Sequence, residues 1–332
     1  MTNKLNLMNS ILLAGTVVFM NFFTLSKIQP LEAQSKSIKS KGVERQIGNG
    51  IINWTYGTIK VTGGGSLPQK GSTAQKRLMA ERAAIADAYR QLAETVNGVQ
   101  VFSETTVKNF VTESDVIRTS VNAVIKGARK IGKTRYLSDG GVEVDLEMPM
   151  YGKDSLAFAL DFGEQIKKKS EEPYSYVGKP LALLQKKNDL TTDLLKTTLK
   201  KDFNFDWLLA FFNKIAFNTD VTGLIIDASG LGAEPAMGPF IIGAAKRVYP
   251  SNKIGMDSDK IVNQGITHYV EDINEAKKDI NRVGNSPLIV QAKAVKGNPS
   301  TDILLTEEEI NKIIEADKKS SFLKDLKVTI VI

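Results

Sequence analysis

The chain of 332 residues has no cysteine, one histidine and two tryptophans, and these shortages exclude a good deal of chemistry. Without thiols there is no disulfide, thiolate zinc site, iron–sulfur cluster, cysteine nucleophile or lipid-bearing cysteine. A single imidazole, His268, excludes a multi-histidine metal centre and leaves any serine triad one base for its proton. Beyond the N-terminal region no apolar run reaches the ~20 residues that a membrane-spanning helix needs. The net charge of +7 is dispersed, with lysines mixed among acids and no basic stripe or aromatic platform, so nucleic-acid binding is not expected. Attraction to anionic envelope polymers or lipids remains open and would weaken with salt.

What is present begins with a leader. Lys4 precedes an apolar run, Ile11 to Leu25, and then Pro30-Leu31-Glu32-Ala33, the basic, apolar, cleavable order of a secretory signal. The run of about 15 residues is short for an uncleaved anchor. Removal of residues 1–33 leaves a chain of charge +6, expected to be exported and periplasmic. Residues 34–50 are polar and basic without a hydrophobic period and read as a flexible tether.

The remaining chain predicts an α+β protein of two α+β domains joined by a helical insert. In the first, residues 51–152, a strand through Ile52, Trp54 and Tyr56 to Thr62 ends at Gly63-Gly64-Gly65. A helix from Thr73 to Val96 follows, with Leu78, Ala84, Ile85, Ala88, Leu92 and Val96 on one face and alanines that allow close packing on a sheet. Next come a strand over Val99 to Val111, a helix capped by Ser114 or Asp115, and a hairpin turning at Asp139-Gly140. Residues 153–218 read as the helical insert, with a surface lysine cluster at 167–169 and an apolar stretch, Phe203 to Phe217. That stretch is either a buried helix or an exposed face for a partner or a membrane surface. Residues 219–332 form a second mixed-sheet domain with short strands from Leu224, a glycine-rich loop at 227–239 and a helix opened by Thr306 and Glu309 as a capping box.

Several segments imitate chemical motifs. Gly127 to Thr134 fits the phosphate-loop pattern letter for letter, but a helix precedes it and a strand follows, the reverse of what phosphate cradling requires. Gly230-Leu231-Gly232 lacks the third glycine of a dinucleotide loop. Asp227, Asp257 and Asp259 lack calcium-loop spacing, and Asp257 or Ser258 reads as a helix cap. His268 reads as an ordinary packed or surface histidine. No catalytic, cofactor or metal residues are expected.

Trp54, Gly57 to Gly63, the helix residues Ala83-Ala84 through Asp87-Ala88-Tyr89-Arg90-Gln91-Leu92-Ala93, Gly98-Val99 and Asp139-Gly140 resemble the domain of twenty-kilodalton envelope lipoproteins of bacteria. The same residues are similar to the N-terminal domain of flagellar assembly protein T. Residues 221–332, through Thr222 to Gly232 and Arg282-Val283-Gly284 with Pro287-Leu288, look like a module that accompanies this domain in some exported proteins. The resemblance implies a structural or adaptor role in the envelope, with envelope or flagellar motor proteins as partners and no catalytic residues. The absent lipobox cysteine puts lipid anchoring outside it. The residues expected to touch a partner are Trp54 and Tyr56, and Trp207, Phe211 and Phe212. The alternatives are a periplasmic ligand-binding protein or hydrolase using the 227–239 loop, and a peripheral membrane-surface binder through 203–217.

Overall fold

The computed structural model describes residues 42–172, 221–244 and 246–332, which fall in one compact unit, Lys41–Ile332. The class is α+β. The first half opens with β1 (Glu44–Ile47), β2 (Gly50–Asn53) and β3 (Thr58–Ser66). Helix α1 (Thr73–Asn97), β4 (Gln100–Phe102), β5 (Thr105–Thr106), α2 (Val107–Glu113) and α3 (Asp115–Lys126) follow. Then come β6 (Arg129–Tyr136), β7 (Gly141–Pro149), α4 (Leu156–Ala159) and α5 (Phe162–Glu171). An antiparallel sheet in the order β1-β2-β3-β7-β6 carries α1 on one face.

Alanine and glycine explain that packing. The buried stripe of α1 is Ala80, Ala84, Ala88, Leu92 and Val96, while Leu78 sits off it and is half exposed. Ser72 caps the helix in a reciprocal box with Gln75. A Cβ at Gly65 would lie 2.1 Å from the Ala80 carbonyl oxygen, and one at Gly63 would lie 2.2 Å from that of Ala84. The glycines therefore do not end the strand, as expected from sequence. They let it continue under the helix at a spacing no side chain permits.

Other differences have local causes. Residues 44–47, within the stretch read as a tether, pair with β2 across a two-residue turn in which Gly48 takes φ +57°. Val107–Glu113 is helical rather than extended because Thr106 and Asn109 form a capping box ahead of it. Strand β6 starts at Arg129, so the phosphate-loop look-alike runs from the Gly127 cap of α3 into an edge strand, with Gly132 (φ +66°) at an irregularity in the pairing. In the region read as an insert, Leu156 and Leu160, one turn apart on α4 and its cap, and Phe162 and Ile166, one turn apart on α5, are fully buried.

The second half comprises β8 (Leu224–Asp227), β9 (Ile241–Ile242), β10 (Arg247–Tyr249), α6 (Ser258–Gln264) and β11 (His268–Val270). It continues through α7 (Ile273–Lys278), α8 (Ile280–Val283), β12 (Leu288–Gln291), β13 (Ala294–Lys296), β14 (Asp302–Leu304), α9 (Glu307–Ser320) and β15 (Val328–Val331). A parallel sheet runs β11-β15-β8-β12, and a mixed one β10-β9-β14-β13, so the alternating run Leu288 to Val295 is split between two sheets. Asp257 caps α6. Thr306 caps α9 by accepting the Glu309 amide, but the Glu309 carboxylate turns to Lys312 at 3.4 Å instead of closing the box.

One cluster of buried apolar side chains extends from Val43 to Ile330 through both halves. Phe102 stacks on Phe240 at 5.8 Å, with Lys169 over the first ring and Arg247 over the second. The 227–239 loop supplies the facing backbone, with the Met237 and Gly238 amides donating to the carbonyls of Gln100 and Val101.

Candidate functional site

The turn joining β2 to β3 is where an aromatic side chain reaches solvent above a concavity. The Asn53 side-chain oxygen accepts the Tyr56 amide at 2.9 Å, and Gly57 supplies the positive φ that closes the turn. The phenol of Tyr56 is left 58% exposed, whereas Trp54, two residues earlier, is 5% exposed and lies edge-on to Tyr269 at 5.9 Å. The two expected contact residues thus separate: Tyr56 presents a surface and Trp54 forms the floor beneath it. The Trp54 Nε1 donor is buried without an acceptor. Trp207, Phe211 and Phe212, with the whole 203–217 stretch, lie outside the described residues.

Behind Tyr56 opens a cleft of about 310 Å³. One wall is the turn itself with Tyr151; the other is the end of α6 and the start of β11, carrying Asn263, Gln264, Thr267 and His268. A web of hydrogen bonds fixes the walls to each other. Thr55 Oγ1 donates to the Tyr269 carbonyl at 2.7 Å and accepts the Val43 amide at 2.9 Å. His268 Nε2 lies 2.8 Å from the Thr55 carbonyl oxygen, and Nδ1 lies 3.0 Å from Asp279 Oδ2. Both partners are acceptors, so a ring with its hydrogen on Nε2 serves Thr55 and one with its hydrogen on Nδ1 faces Asp279. The hydrogen bond from His268 holds the Asp279 carboxyl below its usual range against the opposing effect of burial. Either way, both nitrogens are directed at protein groups, and the imidazole has no free nitrogen with which to accept a substrate proton.

A second cleft of about 290 Å³, lined by Lys260, Gln264, Asn281, Arg282, Asp325 and Lys327, has Gln264 in its wall as well. Arg282 is half-buried there and donates to three carbonyls, those of Gln264 (3.0 Å), Gly265 (3.1 Å) and Val328 (3.3 Å). Burial pushes its pKa below the ordinary value. The Arg282 to Gly284 motif is in this way a brace for the end of α6, with Gly284 at φ +73° against Thr222.

The other candidates are structurally occupied. Ala236, Met237, Gly238 and Pro239 are buried, and the Ala236 amide and carbonyl both bond the Tyr269 hydroxyl, so this part of the 227–239 loop is packing. Among the described residues no three histidine or acidic side chains converge as a metal site. No helix among them is long and apolar enough to cross a membrane.

Residues 66–148 match the model of the LPP20 lipoprotein family. Residues 223–332 match the second domain of Treponema pallidum Tp0624. No curated protein matches the chain. The chain thus carries an LPP20 lipoprotein-like domain followed by a Tp0624-like one. The cleft belongs to neither alone: Trp54 to Thr58 precede the first matched segment, and Asn263 to His268 lie inside the second. Sequence reading reached Tyr56 through its aromatic character. It missed Asn263, Gln264 and Tyr151, because polar and aromatic residues distant in the chain give no local pattern.

Proposed function

We propose that this protein is an exported, non-enzymatic component of the cell envelope that works by binding, with Tyr56 and the cleft behind it as its contact surface. The observation that carries the reading is an exposed tyrosine held on a hydrogen-bonded turn over a cleft whose only imidazole is directed at packing groups. Tyrosine suits such a place because it offers a rigid apolar face and one polar handle. The LPP20 match and the leader-like residues 1–33 support an envelope location. The chain lacks a cysteine, so its attachment is by contact rather than by a thioether-linked lipid. The partner is an envelope component, and similarity to flagellar assembly protein T puts the flagellar motor forward as the assembly to examine.

The test is fractionation and in-cell cross-linking of the tagged full chain beside its Tyr56→Ala variant. The expected result is recovery with the envelope, shortened by loss of the leader, with a captured partner that Tyr56→Ala loses at unchanged unfolding temperature. Cytoplasmic recovery with the leader intact, or identical capture by both chains, contradicts the proposal.

A further inference from the structure

The two clefts differ in chemistry and share one wall. The lining of the first contains no lysine, arginine, aspartate or glutamate. Its side-chain polar groups are hydroxyls, the carboxamides of Asn263 and Gln264, and the His268 imidazole, whose nitrogens face Thr55 and Asp279, all set among the rings of Trp54, Tyr56 and Tyr151. Rings that lie against C–H faces, beside carboxamides that both donate and accept, fit a neutral ring bearing several hydroxyls.

Across Gln264 the second cleft sets three cations against one carboxylate. Lys260 is paired with Asp325 at 2.8 Å. The half-buried Arg282 directs its guanidinium hydrogen bonds at uncharged carbonyls, and the Lys327 ammonium has no ion-pair partner among the described residues. Asp279 lies within electrostatic reach of Arg282 and Asp325 serves Lys260, so Lys327 is the cation of this lining left without a carboxylate partner among the described residues, the place that favours an added anionic group. Each cleft is near the lower end of the ~300–1,000 Å³ range of small-molecule sites.

We propose that the paired clefts are a single binding site for an acidic saccharide, the sugar ring seated between Tyr56, Tyr151 and Asn263 and its carboxylate placed across Gln264 toward Lys327 and Arg282. This deepens the binding reading of the Tyr56 cleft and rests on it. A neutral sugar engages the first half only, and a bare carboxylate the second only.

The experiment uses the full chain carrying Trp207→Phe, which leaves Trp54 as its only tryptophan. Trp54 fluorescence is titrated with D-glucuronate, D-glucose and acetate. D-Glucuronate is expected to give a saturable change at about ten-fold lower concentration than D-glucose, the size of one charge-assisted hydrogen bond. Acetate is expected to give none. Lys327→Ala brings D-glucuronate to the level of D-glucose, and Gln264→Ala weakens both sugars, each at unchanged unfolding temperature. No saturable response to D-glucuronate overturns the proposal, as does acetate matching it or D-glucose equalling it. If the sugars fail while Tyr56-dependent capture of an envelope component persists, the ligand class is wrong and the binding role stands; if both fail, both fall.

Discussion

Asp145 is an acid on a strand face that the protein has made almost inaccessible. Its carboxylate receives Arg135 at 2.7 Å, the Thr62 hydroxyl at 2.7 Å and Lys60 at 3.6 Å, tying β6, β7 and β3 together. The hydrogen bonds from Arg135 lead the causes that lower its pKa from 3.8 to about 2. A carboxyl depressed in the folded state stabilises it above the unfolded pKa, near 4, and that contribution disappears as pH falls toward 2. The full contribution is about 2 kcal/mol. Asp145→Asn should therefore lower stability at pH 7 by ~2 kcal/mol and flatten the fall in unfolding temperature between pH 5 and 2; calorimetry across that range checks it. His268 is a second such residue. Its hydrogen bond to the Thr55 carbonyl and its 3.0 Å contact with Asp279 join the β2–β3 turn to the second half, so His268→Ala should cost about 1–3 kcal/mol in denaturant unfolding. A variant as stable as the parent would mean that the joint carries no load.

At the scale of elements, the close approach of α1 to β3 makes the sharpest prediction. Gly65→Ala drives a methyl group into the Ala80 backbone and should destabilise by about 1–3 kcal/mol or more, while Gly64→Ala, which meets nothing within 4 Å, should change little. Equal unfolding midpoints for the two variants would refute the packing account. The same pair shows what was legible in the sequence. The alanine spacing of α1 announced a helix with a smooth face, and Ser114, Asp257 and Thr306 announced their helices by capping chemistry. Gly63 and Gly65 misled because a glycine run signals a break locally, whereas its reason here is a helix that arrives later in the chain. The core positions of Leu156, Phe162 and Ile166 were not singled out in the sequence, because the lysines that follow mark the solvent side of the same segment.

For the molecule as a whole, the shared core decides how the halves behave. Phe102 on Phe240, the Gln100 and Val101 carbonyls on the 237–238 amides, and Thr55 on Tyr269 are bonds between residues more than 100 positions apart. Residues 42–172 and 221–332 should unfold in one calorimetric transition, and Phe240→Ala should lower it without splitting it. Two resolved transitions would show independent domains. This long-range construction is also why the candidate site was only half legible. Tyr56 stands out in the sequence, but the opposing wall at Asn263 to His268 comes from the distant second matched segment and is brought up only by tertiary packing.

The central claim is that the protein binds through the surface at Tyr56. Tyr136 offers a matched reference, since it is 54% exposed and sits on β6 opposite Val142, seven residues along β7 from Pro149, which pairs beside the Tyr56 turn. At ~3.3 Å per strand residue the two tyrosines lie near opposite ends of the sheet. The most direct measurement is a photo-reactive amino acid placed at position 56 or at position 136 of the full chain in living cells. The account predicts a covalent adduct with an envelope component from position 56 and none from position 136. No adduct at 56, or the same adduct from both positions, would contradict it.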